Sequence, residues 1–486
     1  MSVNRRFFRS ALTVAVSSIA ITGLLIPAAG AQAFGSSGSS LSSSLPGSSA
    51  PGTENGNEAP ENTDGPENII YLVGDGMGYN HVSATNLYES GQTRYQVEGE
   101  AGSDLAEAPG EAVQVFEGDA WNQLGMTTFQ EGNSYEPDRA WADHDYVMED
   151  FTDSAASGTA MATGSKTDNG SIGVDSADTE LENTSQRAKD EDKAAGVVSS
   201  VPFSHATPAA WAAHNTDRND YHAITEEMIT GDLDVIMGAG HPFFNSDNEP
   251  VTEANEGYMT ADQYERLVNG ETDFELVEDN ADFEALANGD VEEDTDYFGL
   301  AQVSSTLQHD RSGQDTAPYQ TPQNDVVDLA TMTEGALNVL GQDDDGFHLM
   351  VEGGAIDWAG HANDIARDIE EVQAFNAAVE TVVDWVETNS SWEETLVIVT
   401  ADHETGYLMG EDEEPDFKAL TGEAGEVPAH SWYSGNHTNQ VVPFFFRGAG
   451  SEDIVNATTG TDPVRGDFID NTTVADLTIN EWWTRD

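Results

Sequence analysis

The sequence predicts an α/β fold: a central, mostly parallel β-sheet flanked by helices on both faces, with acidic insertions. Apolar runs that end in glycine recur along the chain, as buried parallel strands delivering loops do. A long helix with apolar residues at steps of three and four stands between two of them. In such an alternation ligands gather where the carboxyl ends of strands meet their loops. Polar residues immediately after apolar strands are therefore the candidates for chemistry.

The chain has 486 residues, room for one large α/β unit with insertions. Residues 1–33 have a basic start, an apolar middle and an A-Q-A end, the pattern of a cleaved export signal. Arg5 and Arg6 before Phe7 and Phe8 point to the twin-arginine type. The apolar stretch from Ala11 to Ile26 is too short and too interrupted by Ser and Thr for a membrane span. A mature protein without a span, periplasmic or secreted, is expected. Residues 34–65 are Ser, Gly, Pro and acid and read as a tether. The globular part, 66–486, opens with ENIIYLVGDGMG, in which Ile69 to Val73 form a buried strand. GFHLMVEGG (346–354), TLVIVTADHETG (395–406) and DLDVIMGAG (232–240) repeat that grammar. The helix runs from about Asp364 to Val386 through Ile365, Ile369, Val372, Phe375, Val379 and Val382. Acidic, irregular stretches near 95–150, 243–325 and 407–432 read as insertions rather than core.

Charge narrows the function. Seventeen Lys and Arg face 90 Asp and Glu, a net charge of −73; without Arg5, Arg6 and Arg9 of the leader the balance is 14 against 90, or −76. Such a surface repels nucleic-acid phosphates and anionic membranes. It resembles a halophile's surface, hydrated and holding cations weakly. Repulsion reaches about 10 Å at 0.1 M salt and about 3 Å at 1 M, so the fold is expected to tolerate its charge best in concentrated salt. The chain has no cysteine, which excludes disulfides and thiolate metal sites.

Three strand ends hand over acids or imidazoles: Asp75 in GDGMG, Glu352 and Asp357 in VEGGAIDWAGH, Asp402 and His403 in TADHETG. Asp357 and His361, four apart, share a face if their stretch is helical. Singly, each acid reads as a cap, a turn residue or a satisfied strand end. Together they form an oxygen and imidazole set suited to Zn²⁺ and Mg²⁺. FTDSAASGTAMATG (151–164) then sets Ser154 at a helix N-terminus, where free N–H groups and the dipole favour negative charge. Alone, such a serine reads as a helix cap. Beside a metal site, the location suits a hydroxyl that becomes an alkoxide and carries a phosphate. GTAMATGSKT (158–167) is not a P-loop, because five residues separate its glycines and Ser165 precedes Lys166.

GDGMG, TDSAASGTAMATG, SHATPAAWAAHNTDR, VEGGAIDWAGH, TADHETG and GNHT resemble, in order and spacing, the motifs of the metal-dependent alkaline phosphatases. Given the composition, the chain most resembles a secreted member from a halophilic bacterium. The resemblance implies hydrolysis of phosphate monoesters to alcohol and inorganic phosphate through a phosphoserine on Ser154. It implies a first zinc on Asp357, His361 and His437 and a second on Asp75, Asp402 and His403. A third site, usually magnesium and open to zinc, would use Asp75, Thr207 and Glu352. Arg218 would bind phosphate oxygens, steadied by Asp153. His205 and Trp358 stand where some members carry Asp and Lys, which bears on the third site and the pH optimum. His430 is the alternative to His437, and His144, His241 and His309 read as surface or packing residues. The resemblance also implies a homodimer, with 407–432 as a short crown-like insertion. A diesterase of the same superfamily and a non-catalytic acidic cation-binding surface protein are the alternatives.

Overall fold

The structure, a computed structural model, describes residues 65–484. The leader expected at 1–33 and all but the last residue of the 34–65 tether lie outside the described residues. The strands are β1 (Asn68–Gly74), β2 (Asn122–Thr127), β3 (Ala194–Pro202), β4 (Val235–Ala239), β5 (Phe274–Val277), β6 (Asp296–Leu300), β7 (Phe347–Gly353) and β8 (Thr395–Thr400). After them come the two-residue strands β9 (Glu404–Thr405), β10 (Leu408–Met409), β11 (Ser431–Trp432) and β12 (His437–Thr438), then β13 (Val442–Gly448), β14 (Gly460–Asp462) and β15 (Gly466–Asp470). One eleven-stranded sheet has the order β14-β15-β2-β13-β8-β1-β7-β3-β4-β6-β5. The run from β8 to β5 is parallel throughout, and β13 is antiparallel to both of its neighbours.

The four strands read from apolar runs are β1, β4, β7 and β8. Every residue in them is buried, so both faces of the sheet are covered. The long helix runs Ile365–Asn389, with the Asp364 carboxylate accepting from the N–H groups of Ala366 and Arg367 at 3.2 Å. Its predicted apolar positions are all buried. Two of the expected insertions are corrected: 95–150 contains β2, and 243–325 contains β5 and β6, all strands of the central sheet. Segment 407–432 folds back on itself through the antiparallel pair β10 and β11. No described helix is long and apolar enough to cross a membrane.

Strand register sets up the site. β1 lies between β7 and β8, so Val73 has Glu352 on one side and Thr400 on the other. Asp75, two residues further, is thereby carried to the ends of all three strands. On the far side of β7, Ser199 of β3 is level with Glu352.

Candidate active site

The carboxylates meet where the register puts them. Asp75, Glu352 and Asp402 are fully buried. Among the described residues, neither oxygen of Asp75 has a hydrogen-bond partner, and Oε1 of Glu352 has none either. Oε2 of Glu352 accepts from the Ser199 hydroxyl. Asp402 Oδ1 accepts from the N–H groups of Gly76 and His403, each at 3.0 Å. Gly76 adopts φ +72°, and a Cβ there would stand 2.7 Å from Thr405 Oγ1 and 2.9 Å from Asp357 Cα. The GDG turn thus requires glycine both for its conformation and for the close approach of two other site segments.

Asp357 and His361 do lie on one helix, Ala355–Ala362. Asp357 Oδ1 accepts from Thr405 Oγ1 at 2.6 Å and lies 3.4 Å from Nε2 of both His361 and His437. The two histidines approach each other at 3.1 Å, and their Nδ1 atoms face the carbonyl oxygens of Gly435 and Thr152, each at 2.8 Å. Such backbone contacts fix which ring nitrogen points into a site. His403 stacks on His437 with ring centres 3.5 Å apart, and its Nε2 lies 3.1 Å from Asp402 Oδ2 and 3.6 Å from Asp75 Oδ1. His430 instead faces the Pro428 carbonyl and stands outside the cluster.

Ser154 is the first residue of a helix ending at Thr163, and its Oγ lies 3.2 Å from His403 Nε2. The cap of that helix is Asp153, whose Oδ1 accepts from Ala156 N–H at 2.9 Å. Oδ2 of Asp153 takes the N–H of Gly170 and Nη1 of Arg218, both at 3.0 Å. One carboxylate therefore starts the helix, closes a loop and aims the guanidinium. Small residues after Ser154 allow close packing: a Cβ on Gly158 would stand 3.1 Å from Ala210 Cβ and 3.6 Å from Thr207 Cα. The lysine-bearing stretch rejected as a P-loop begins inside this helix. Thr207, on helix Ala206–Ala210, keeps a buried hydroxyl without a partner.

The electrostatics are those of a buried cluster of carboxylates and imidazoles. Burial, with Asp402, Asp357 and Glu352 adding repulsion, holds Asp75 well above the usual carboxylate range. Burial is also the main reason Glu352 is pushed up to about 8. For Asp357, burial is outweighed by His437, His361 and His403, which hold its carboxyl low. Burial and then Arg218 push His205 down to about 3, so it presents a neutral ring. Three groups have donor atoms within 4.8 Å of one another among the described residues: Asp357, His403 and His437; Asp75, Asp402 and His403; and Asp75, His205 and Glu352. The partnerless oxygens of Asp75, Glu352 and Thr207 fit bound cations, because buried polar atoms are otherwise satisfied by protein.

A cavity of about 620 Å³ opens beside Ser154, lined also by Phe151, Arg218, Trp358, His361 and His437. His309, read from the sequence as a surface or packing residue, lines it too. His144 and His241 do pack, against Tyr407 and Glu278. Sequence reasoning also missed Ser199 and Thr405, which hold Glu352 and Asp357, and His81. His81 Nδ1 meets Asp368 at 2.6 Å and its Nε2 meets the Thr405 carbonyl at 2.9 Å.

The alkaline phosphatase family pattern matches residues 66–420. The chain is 30% identical over 363 residues to alkaline phosphatase 3 of Bacillus subtilis, covering 72% of this chain and 64% of that one. It is 28% identical over 436 residues to the alkaline phosphatase of Escherichia fergusonii, covering 82% and 84%. The fold resembles that of the alkaline phosphatase from the Antarctic bacterium TAB5, with a TM-score of 0.60 at 23% identity over 87% of this chain and 100% of that one. A variant of that enzyme has magnesium bound in its M3 site; it matches with a TM-score of 0.59 at 21% identity, over 87% and 99%. The chain belongs to the alkaline phosphatase family. Its matched stretch spans just under two thirds, 64%, of the Bacillus relative's length.

Proposed function

We propose that this protein hydrolyses phosphate monoesters through a phosphoserine formed on Ser154. The observation that carries the reading is the placement of one helix-start hydroxyl against a cluster of buried, partnerless carboxylate oxygens. Two zinc ions and one magnesium ion are the cofactors that the donor set suits. Asp357, His361 and His437 would hold one zinc, and Asp75, Asp402 and His403 the other. Asp75, Thr207 and Glu352 would hold magnesium, and His205, whose buried Nδ1 has no partner among the described residues, would offer zinc an imidazole ligand at the same site. Held by these residues, such cations would supply charge neutralisation for the entering and leaving oxygens of an in-line displacement and would acidify a hydroxyl or water.

The chain's own residues supply the rest. Ser154 gives up its hydroxyl proton and attacks phosphorus, the phosphorus–oxygen bond to the alcohol breaks, and the leaving oxygen takes up a proton and departs as the alcohol into the open cavity. Arg218, which Asp153 keeps charged and aimed despite its burial, grips two of the remaining phosphate oxygens through its planar fork. The N–H groups of the first helical turn add partial positive charge at the same place. These contacts neutralise the equatorial oxygens, where the charge of such a transition state resides. Water then releases inorganic phosphate from the serine. Trp358, 5.7 Å from the His205 ring, shields the imidazole side of the cavity. The reading extends to an exported, periplasmic or secreted homodimer with 407–432 in a crown-like role, supported by the pattern of residues 1–33 and by the folded-back 407–432 segment.

Hydrolysis of p-nitrophenyl phosphate by the wild-type protein should vanish in Ser154→Ala and on chelation, and return with zinc and magnesium in the chelated wild type only. Full turnover in Ser154→Ala would refute the assignment.

A further inference from the structure

The cavity beside Ser154, at about 620 Å³, is much larger than a phosphate group and leaves most of its space for the alcohol half of a substrate. Besides Arg218, the wall carries His309 on the loop between β6 and the helix Leu329–Leu340. His309 Nδ1 meets Asp310 Oδ1 at 3.0 Å, and among the described residues the ring makes no other hydrogen bond. With Nδ1–H held by a carboxylate, a neutral ring offers only an acceptor at Nε2, whereas a protonated ring offers an N–H donor. Burial opposes protonation, yet Asp310, Glu371 and Asp364 outweigh it and raise the pKa of His309. The ring also stands 6.4 Å from Trp358, placing a flat apolar surface beside the imidazole.

This wall is fixed. Arg311, two residues after His309, is 4% exposed and donates to Glu370 at 2.6 Å. Arg367 reaches the same Glu370 at 3.1 Å and Asp315 at 3.3 Å, and Tyr319 N–H donates to Glu370 Oε1 at 2.6 Å. A buried network of two guanidiniums and two carboxylates thus clamps the loop to the helix Ile365–Asn389. Such a clamp holds the imidazole in place without help from substrate.

We infer that His309 and Trp358 form the alcohol-binding wall of this cavity, and that His309 selects phosphate monoesters whose alcohol half carries a second negative charge. The inference rests on the monoesterase reading above. It makes His309 a specificity-determining residue, with no part in bond making or breaking. Against a chain of net charge −73, a local cation on the substrate's path matters more than it would on a neutral protein.

The test is the ratio of kcat/KM for 4-carboxyphenyl phosphate to that for phenyl phosphate, measured at one pH and one salt concentration in wild type, His309→Gln and His309→Lys. The ratio does not depend on how much of a variant folds. His309→Gln should lower it about fivefold, within reach of a partly screened charge pair, and His309→Lys should keep it within about twofold of wild type. An unchanged ratio in His309→Gln, with phenyl phosphate hydrolysed by the wild type, would overturn the inference alone. So would an equal loss in His309→Lys. Absence of phenyl phosphate hydrolysis by the wild type would remove the monoesterase reading and this inference with it.

Discussion

Asp153 serves two structures at once, and two substitutions separate them. Asparagine keeps one acceptor oxygen and remains a good helix cap, so Asp153→Asn should preserve the bond from Ala156 N–H while giving up the charge that holds Arg218. Asp153→Ala loses both. The cap contributes about 1 kcal/mol. The ion pair, with both side chains 19% exposed, contributes about 1 kcal/mol more, between the values for surface and buried pairs. Unfolding entropy of about 2.1 cal/mol/K per residue over roughly 420 residues gives about 0.9 kcal/mol/K, so the expected losses in Tm are about 2 °C for alanine and about 1 °C for asparagine. Binding should separate differently. Both variants free the guanidinium, and losing one charge-assisted hydrogen bond from a mispositioned Arg218 should raise the inhibition constant for inorganic phosphate about tenfold in each. The assays are thermal unfolding of the metal-loaded protein and competitive inhibition by phosphate. If the phosphate constant stays unchanged while Tm falls as expected, Asp153 is only a cap. If the two variants lose equal stability, the capping assignment is wrong.

Two further outcomes follow from charge. Burial, with Glu370 adding and His309 and Arg311 opposing, pushes Glu371 up to about 7. Its proton is thus held more tightly in the folded than in the unfolded state, so the associated stability is complete below about pH 4.5 and is lost as pH rises to about 7. The stability of wild type relative to Glu371→Gln should fall by about 3 kcal/mol across that window, and parallel curves for the two proteins would refute it. Separately, the excess of 90 acidic over 17 basic residues should cost the protein its structure in dilute buffer. Circular dichroism spectra identical in millimolar and molar NaCl would defeat that expectation.

What the sequence made legible was what burial writes into a local pattern. β1, β4, β7 and β8 carry side chains into covered layers on both faces, so they are apolar at every position and stand out. β2 is exposed or half-exposed over its first three residues, NQL, and the rest, GMT, has glycine in a strand interior. β5 is four residues long, buried at its two ends and exposed or half-buried between them. Neither leaves a signal above its acidic surroundings, so both passed as insertion. Asp75, Glu352, Asp357, Asp402 and His403 were legible because they sit at or just after the readable strands β1, β7 and β8, whereas Ser154, Thr207, Arg218 and His437 were legible only through the motifs that contain them. His309 was not, since nothing in LQHDR marks it. Its placement depends on Arg311 meeting Glu370 some sixty positions away, a tertiary contact without a local signature. Ser199 likewise reaches Glu352 only through the register of β3 on β7.

The same register explains why the site is held by structure rather than by its own contacts. Placing β1 between β7 and β8 forces Asp75, Glu352 and Asp402 together, where burial and mutual repulsion raise the pKa of Asp75 and Glu352. The cluster persists because its backbone is fixed from outside. Gly76 N–H and Thr405 pin the turn and Asp357, and His81 reaches from Asp368 on the long helix to the Thr405 carbonyl. Burial lowers the pKa of His81, but Asp368 and Glu404 outweigh it and raise it to about 10. The imidazolium therefore stays charged across neutral pH and keeps both carboxylate partners. Cations entering such a frame meet ligands already oriented, and their binding relieves repulsion that folding has built in. The strongest stabilisation by metal should accordingly arise at the carboxylates that the protein alone leaves without partners.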